Sequence, residues 1–551
     1  MSDNIYKPLI VQSDMTLLLE TNNESYESAR DDLAAFAEMI KSPEYIHTYK
    51  ITPISLWNAA SAGIKSEDVL ISLEKYSKYS ISETVIARIK QISERYGKVC
   101  IYKENGELFL ETDDRFIMAQ LCAEKSVFKF FLENPQDNRV KIDAVYRGHI
   151  KQALMNIQFP PEDLAGYSIG EELNCDLRSD IFQLRDYQYA AVSAFRAGGK
   201  GDHGFVVLPC GAGKTIVGMT AMAELKTATL ILTTSITAVR QWICELASKT
   251  NINPELIGEY SGEKKEIKPV TISTYQIISA KDSDGNQNHF KVFSERNWGF
   301  IIYDEVHMLP APVFRITAEL QAKRRLGLTA TLVREDGHET DVFALIGPKR
   351  HEMSWKVLEK QQWIAEAECI EVRILMPDEL KMPYAVAPKR DKFRIAAENP
   401  NKLGIVNKLI AKHGGAHILI IGVYIEQLEE IAEKLDAPLI TGKTNNKERE
   451  ELYGRFKNGG IKLLVVSKVA NFAVDLPDAN VAIEVSGSFG SRQEEAQRLG
   501  RILRPKKGEN KAYFYTLVSR ETREEEFSMH RQLFLAEQGY SYKIIDGEAQ
   551  Y

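Results

Sequence analysis

Cysteine is scarce in this sequence, and no two cysteines are spaced for a metal. Six occur in 551 residues, at positions 100, 122, 175, 210, 244 and 369. None forms a C-x-x-C pair, which argues against structural zinc, an iron–sulfur cluster and a disulfide scaffold. Long apolar runs are also missing; none approaches the ~20 residues that cross a bilayer, so no membrane partner is expected. The opening Met1-Ser2-Asp3-Asn4 has no basic segment leading into an apolar core, and a cytoplasmic protein is the expectation. Tandem repeats and low-complexity segments are absent too. Nor is there an excess of positive charge: 70 Lys and Arg stand against 77 Asp and Glu, a net charge of -7. That excludes a generally basic protein that coats nucleic acid. It leaves room for a motor, which grips phosphates on a local basic track and must also let go.

What is present is an ordered pair of motifs. Gly211-Ala212-Gly213-Lys214-Thr215 follows the apolar run Phe205 to Leu208, and Asp304-Glu305-Val306-His307 follows Phe300 to Tyr303. Gly211 and Gly213 let backbone N–H groups turn inward around phosphate oxygens. Ala212 lies between them. Lys214 supplies a cation for the β- and γ-phosphates. Thr215 supplies a hydroxyl for Mg²⁺ and opens a helix whose N-terminus favours anions. The usual pattern, G-x-x-x-x-G-K-[ST], is not fully met, because Leu208 takes the place of the first glycine. Asp304 and Glu305 belong at the carboxyl edge of a parallel sheet, where ligands bind. One carboxylate suits Mg²⁺ and the other suits the attacking water. An acidic pair alone is more often a solvated turn; behind a phosphate loop it reads as the second half of a nucleoside triphosphatase. Later comes Gln497-Arg498-Leu499-Gly500-Arg501-Ile502-Leu503-Arg504. Arg501 and Arg504 share one helix face, and guanidinium forks stabilise phosphoryl transition states.

The fold class expected is α/β, with two RecA-like parallel-sheet lobes, an α+β N-terminal extension and a thumb-like insertion. Residues 1–115 read as an α+β module of possibly winged-helix type in which a helix spans Ser25 to Ile40. Thr52-Pro53 opens a second helix, and helical patterns continue over Ser66–Tyr76 and Ser82–Tyr96. Lys98 to Thr112 alternates around Asn105-Gly106, the strongest short hairpin signal. Residues 116–180 form a small separate domain, 181–350 the first lobe, 351–400 the thumb-like stretch and 401–551 the second lobe. Strands and crossover helices alternate in both lobes. Between Lys381 and Lys412 eight Lys or Arg face two Asp or Glu, a candidate track for DNA that includes Lys389, Arg390, Lys392 and Arg394.

These motifs resemble the superfamily 2 helicases, and further segments narrow the match. Leu184-Arg185-Asp186-Tyr187-Gln188 looks like the adenine-recognising Q-type motif, which makes Arg185 and Gln188 nucleotide contacts. Thr233 to Trp242, with Arg240, looks like motif Ia. Ser273-Thr274-Tyr275 resembles the segment ahead of the acidic pair. Leu328-Thr329-Ala330-Thr331 resembles the coupling motif. The element Arg334-Glu335-Asp336 behind it is similar to that of the XPB family, bacterial or archaeal type. So are Leu208-Pro209-Cys210-Gly211-Ala212-Gly213-Lys214, the run from Ser467-Lys468-Val469 through Asp475 to Asn480, and Arg531-Gln532 followed by Gln538-Gly539-Tyr540-Ser541. The resemblance covers roughly residues 180 to 545 and is weak before them.

The resemblance implies an ATP- and Mg²⁺-dependent 3′–5′ DNA helicase acting at single-strand/duplex junctions. It implies Gln497, Arg501 and Arg504 as catalytic groups beside Lys214, Asp304 and Glu305. It implies Arg334, Glu335, Asp336, Asp475 and Thr329–Thr331 as coupling elements, and Arg240 and Lys468 as DNA contacts. Nucleotide excision repair, a nuclease or other repair partner, a monomeric working unit and a nucleoid-associated location follow the same way. A small damage-recognition-like domain is expected at 116–180 by position. The rival readings are a duplex DNA translocase that does not separate strands, an RNA helicase, and a nucleotide-gated binding factor.

Overall fold

The computed structural model describes residues 6–41, 45–143, 146–165, 170–196, 202–280, 292, 295–308, 324–330, 342, 346–467, 479–487, 492–503 and 510–548, without the side chains of 148, 279, 390, 446, 492–494, 497, 501, 534 and 537. The chain divides into two compact units, residues 1–208 with 213–352, and 353–551 with Pro209–Ala212.

The first unit begins with a four-stranded antiparallel sheet of order β1-β2-β4-β3, formed by β1 (Leu9–Val11), β2 (Thr16–Glu20), β3 (Glu38–Lys41) and β4 (Ile46–Lys50). Leu17 and Leu19 alternate with half-exposed neighbours and are fully buried, the pattern of a strand with one face on a core. The following helix, Pro53–Ser61, starts where Thr52 predicts it. Ser55 N donates to Thr52 Oγ1 at 3.1 Å and Thr52 N donates to Ser55 Oγ at 3.0 Å, a reciprocal cap. Helices Ser66–Tyr76 and Glu83–Ser93 also lie where their spacing places them. The helix expected over Ser25–Ile40 is shorter. It runs Tyr26–Leu33, and residues 38–41 form β3 instead, with Met39 paired opposite Tyr49. Cross-strand pairing, which local periodicity does not register, wins there.

Asn105 and Gly106 have φ of 50° and 89°, the left-handed pair of a tight hairpin turn. The hairpin joins β5 (Val99–Glu104) to β6 (Glu107–Thr112) and forms the middle of a second sheet, β7-β6-β5-β8, with β7 (Arg139–Ile142) and β8 (Pro161–Asp163). A division at 115/116 therefore cuts through a sheet and is corrected. Val99, Ile101, Leu108 and Leu110 share one core with Met118, Leu121, Val140, Ile142 and Leu154, and the hairpin is not a free two-stranded wing. This module is fastened to the lobe that follows. Lys349 N donates to Asn58 Oδ1 at 3.0 Å and Arg350 Nη1 to Ser61 O at 3.2 Å. Asp163 meets Arg147, Lys151 at 2.9 Å and Arg325 at 3.4 Å, all buried.

The lobe itself is an all-parallel sheet of order β11-β12-β10-β13-β14-β9-β15. Its strands are β9 (His203–Val207), β10 (Thr229–Thr233), β11 (Ile257–Tyr260), β12 (Val270–Thr274), β13 (Phe300–Asp304), β14 (Arg324–Thr329) and β15 (Lys349–Glu352). β9, β10, β12 and β13 are almost continuously buried, as strands covered on both faces must be. The apolar runs Phe205–Leu208 and Phe300–Tyr303 mark β9 and β13, inside the sheet; β11 and β15, at the edges, have no continuous apolar run.

The second unit repeats the scheme, with order β18-β19-β17-β20-β21-β16-β22 and all pairs parallel. Its strands are β16 (Glu366–Ile374), β17 (Ile418–Gly422), β18 (Leu439–Ile440), β19 (Leu463–Ser467), β20 (Val481–Glu484), β21 (Lys511–Ser519) and β22 (Tyr542–Asp546). β16 lies between β21 and β22, so this lobe begins ahead of residue 401. Helix Lys389–Ala397 buries Phe393, Ala396 and Ala397, whereas helix Asp378–Val386 buries nothing. The basic stretch from 381 to 412 is consequently not one open track. Lys402, in its middle, is buried against Glu524 at 2.8 Å, Lys381 pairs with Asp378 at 2.6 Å, and Arg394 pairs with Glu398 at 3.0 Å and with Glu426 at 2.5 Å.

Candidate active site

β9 and β13 flank β14, so three strand ends converge. The phosphate loop leaves β9, the acidic pair leaves β13, and Thr329-Ala330 leaves β14. Thr329 ties the three together. Its carbonyl accepts from Leu208 N at 3.0 Å, and its hydroxyl lies 2.5 Å from His307 Nδ1. Thr329 is fully buried and His307 nearly so. His307, to which no motif gives a role, links the acidic pair's segment to Thr329.

Gly211 and Gly213 have φ of 79° and 81°, a conformation costly for any residue with a Cβ. At Gly213 the space is closed as well: an added Cβ would lie 2.5 Å from Gln188 Nε2. The structure thus brings the Q-type motif against the phosphate loop. Gln188 is buried, and its Oε1 accepts from Arg185 N at 3.1 Å, while Arg185 Nη1 donates to Tyr187 OH at 3.1 Å. Lys214 opens the helix Lys214–Leu225, with Thr215 in its first turn.

Lys214 Nζ lies 3.2 Å from Glu305 Oε1, joining the two motifs as an ion pair. Glu305 has φ of 50°, an uncommon setting for a glutamate. Burial pushes its carboxyl up, but Lys214 and then His307 outweigh that and hold it below the ordinary value. It is ionised at neutral pH, and its buried Oε2 accepts no hydrogen bond among the described residues. Asp304 goes the other way: burial, then the neighbouring Glu305, raise it to about 6. Two groups from outside the motif orient it. Trp242 Nε1 donates to Asp304 Oδ2 at 2.8 Å, and Tyr275 OH donates to its backbone oxygen at 2.8 Å. Both aromatics stand in segments quoted for resemblance, yet nothing in the sequence says that they reach Asp304.

In the second unit, Gln497 and Arg501 lie on helix Arg492–Ile502, with their side chains outside the described residues. Arg504, Thr331, Arg334, Glu335, Asp336, Lys468 and Asp475 also lie outside them. Of the DNA candidates, Arg240 pairs with Glu263, Lys389 is exposed, and Lys392 sits over the Tyr384 ring at 5.4 Å. Arg531 and Gln532 belong to the interior of the second unit: Arg531 meets Glu484 and Glu495, and Gln532 donates to Glu371 at 2.6 Å.

Three family profiles match the chain. One described as ERCC3/RAD25/XPB C-terminal helicase matches residues 358–551, one described as type III restriction enzyme, res subunit, matches 181–334, and one described as helicase conserved C-terminal domain matches 9–135. The last crosses position 115, in keeping with the sheet found there. A Mycobacterium tuberculosis protein named DNA 3'-5' helicase XPB is 50% identical over 542 residues, covering 98% of both chains. The Kineococcus radiotolerans protein of the same name is 49% identical, covering 98% of this chain and 97% of its own. The Saccharomyces cerevisiae subunit XPB/SSL2, named a helicase/translocase subunit of general transcription and DNA repair factor IIH, is 32% identical, covering 98% of this chain and 72% of its own. With half its residues shared along nearly its whole length, and with two parallel sheets of RecA-like design, this chain belongs to the XPB helicase family.

Proposed function

We propose that this chain is an ATP-dependent 3′–5′ DNA helicase that opens duplex DNA in repair. The observation that carries the reading is the Lys214–Glu305 pair at 3.2 Å, locked to the coupling strand through His307 and Thr329. Lys214 neutralises phosphoryl charge, and the ionised Glu305 accepts a hydrogen bond from the attacking water. With a triphosphate at the loop, Lys214 would turn to its phosphate oxygens and Glu305 would be released for that role. Mg²⁺ fits the oxygen donors present, Thr215, Asp304 and Glu305, the last with its Oε2 3.6 Å from His307 Nδ1. Bound there, it would supply charge neutralisation for the phosphates. Gln497, Arg501 and Arg504 are assigned to the same reaction as stabilisers of transferred charge.

Because His307 and Thr329 connect the acids to β14, a change at the phosphates is felt at the segment carrying Arg334, Glu335 and Asp336. Those three are assigned to strand separation, together with Thr331 and Asp475. Arg240, Lys389, Arg390, Lys392, Arg394 and Lys468 are assigned to DNA phosphates. The carboxylates now holding Arg240 and Arg394 do not oppose this, since exposed pairs are worth only about 0–1 kcal/mol and exchange readily. A monomer at single-strand/duplex junctions, a repair nuclease as partner and a cytoplasmic, nucleoid-associated location complete the reading. Duplex translocation without strand separation is kept as the second reading, because the yeast relative's name carries both words.

The test is ATP hydrolysis with no nucleic acid, single-stranded DNA, duplex DNA and RNA, beside Glu305→Gln. Strong DNA stimulation, reduced about 10²-fold or more in the variant, is expected. Hydrolysis indifferent to DNA would turn the reading to a nucleotide-gated binding factor. Duplex opening unchanged in a Glu335→Ala, Asp336→Ala variant would remove that pair's assignment.

A further inference from the structure

The helix Arg492–Ile502 is held by an unusual anchor. Glu484, at the end of β20, and Glu495, Arg498 and Arg531 are all fully buried. Arg498 pairs with Glu484. Arg531, from the helix Arg523–Glu537, lies 3.5 Å from Glu484 Oε2 and 3.4 Å from Glu495 Oε2. Tyr542, on β22, donates its hydroxyl to Glu495 Oε1 at 3.1 Å. Two cations and two anions thus balance inside the second unit. The backbone makes room for them: a Cβ at Gly487 would stand 2.2 Å from Arg531 Cζ.

A buried ionic set of this kind adds little stability over apolar packing, yet removing one member is costly, and its fixed geometry selects one arrangement among several. An apolar helix face tolerates small rotations; a four-charge set does not. At roughly 100° per residue, positions 495, 498, 499 and 502 form one band, and all four are buried. Positions 497 and 501 fall on the opposite side. We propose that Glu484, Glu495, Arg498 and Arg531 are positioning residues that set the rotation of this helix, and so the side of it on which positions 497 and 501, assigned to the ATPase reaction, stand. The inference rests on the ATPase reading above.

The experiment compares wild type, Arg531→Met, Glu495→Gln, Arg501→Ala and the Arg501→Ala/Arg531→Met double variant. Steady-state ATPase gives kcat and KM, and hydrogen exchange reports on the backbone. Arg531→Met should lower kcat about tenfold or more while KM for ATP stays within about threefold, the signature of an interaction needed in the transition state. The double variant should be no slower than Arg501→Ala, because a mispositioned arginine and a missing one are the same defect. Glu495→Gln, nearly isosteric, should show the same split at about threefold and serves if Arg531→Met does not fold. Amides of residues 492–502 should lose protection about tenfold or more while those of β17 and β19 keep theirs. Losses that multiply in the double variant, or unchanged protection of the helix, would overturn the proposal. A wild type without ATPase would instead sink the functional reading, and the exchange result would still decide what holds the helix.

Discussion

Replacing Gly213 by alanine tests how the phosphate loop is built. The residue sits at φ 81°, and an alanine there costs about 1–2 kcal/mol for its Cβ alone. The new carbon would also stand 2.5 Å from Gln188 Nε2. Since that atom ends a flexible side chain, Gln188 moves aside. Leaving its rotamer costs about 0.5–1.5 kcal/mol, and losing the bond from Arg185 N about 0.5–1.5 kcal/mol more. The sum is about 2–5 kcal/mol, or about thirtyfold to several thousandfold in ATP affinity if the loop shifts instead of the fold. A fluorescent ATP analogue titrated into wild type, Gly213→Ala, Gln188→Ala and the double variant separates the contributions. In the Gln188→Ala background only the backbone cost remains, so Gly213→Ala should then weaken binding by about five- to thirtyfold. Circular dichroism melts should stay close to wild type. Affinity of Gly213→Ala within about threefold of wild type, or the same loss in both backgrounds, would refute the reasoning.

Other consequences are as direct. Gly404 and Gly454 lie within helices, and a Cβ at either meets nothing within 4 Å; alanine at each should stabilise the second unit by about 0.4–1 kcal/mol in thermal melts. Lys402→Met leaves Glu524 buried without the cation now 2.8 Å away and should cost about 3–5 kcal/mol in urea unfolding. Burial, then Arg325 and Arg350, lower the pKa of His203 to about 3. The folded state therefore keeps it neutral, while the unfolded chain takes up a proton below about 6.5. Its stability contribution is present above that pH and is lost as pH falls towards 3. Between pH 7 and pH 5 the loss is about 2 kcal/mol, and His203→Gln should flatten the urea-derived stability curve by that amount. Trp242→Phe removes the donor 2.8 Å from Asp304 Oδ2. It should cut kcat/KM for ATP about tenfold or more in a steady-state assay, given about 1.5–3 kcal/mol for a hydrogen bond to a charged group.

Much of the molecule was legible without coordinates, and the reason is local. Asn105-Gly106 names its turn because few residues accept two positive φ angles in succession. Thr52-Pro53 names a helix start because cap and first-turn preferences act within four residues. The buried central strands β9 and β13 show as apolar runs, and loop-then-acid order along such a chain singles out Lys214, Asp304 and Glu305 as candidates for a triphosphate site. What stayed hidden depends on residues far apart meeting. β3 continues a helical pattern in the sequence, and what makes it a strand is pairing with Tyr49 across the sheet; β15 and β22 are edge strands with no apolar run; the hairpin's true partners, β7 and β8, come about thirty and fifty residues later.

The order of the motifs, the chemistry of the phosphate loop and the family are properties of the chain alone, because each is written in short contiguous segments. That Trp242 and Tyr275 orient Asp304, that His307 and Thr329 join three strand ends, that Lys402 is a buried strut and not a DNA contact, and that Arg531 anchors the helix bearing Arg501 were decided only by tertiary structure. Burial and ion pairing set each of those roles, and both depend on which distant segments the fold packs together.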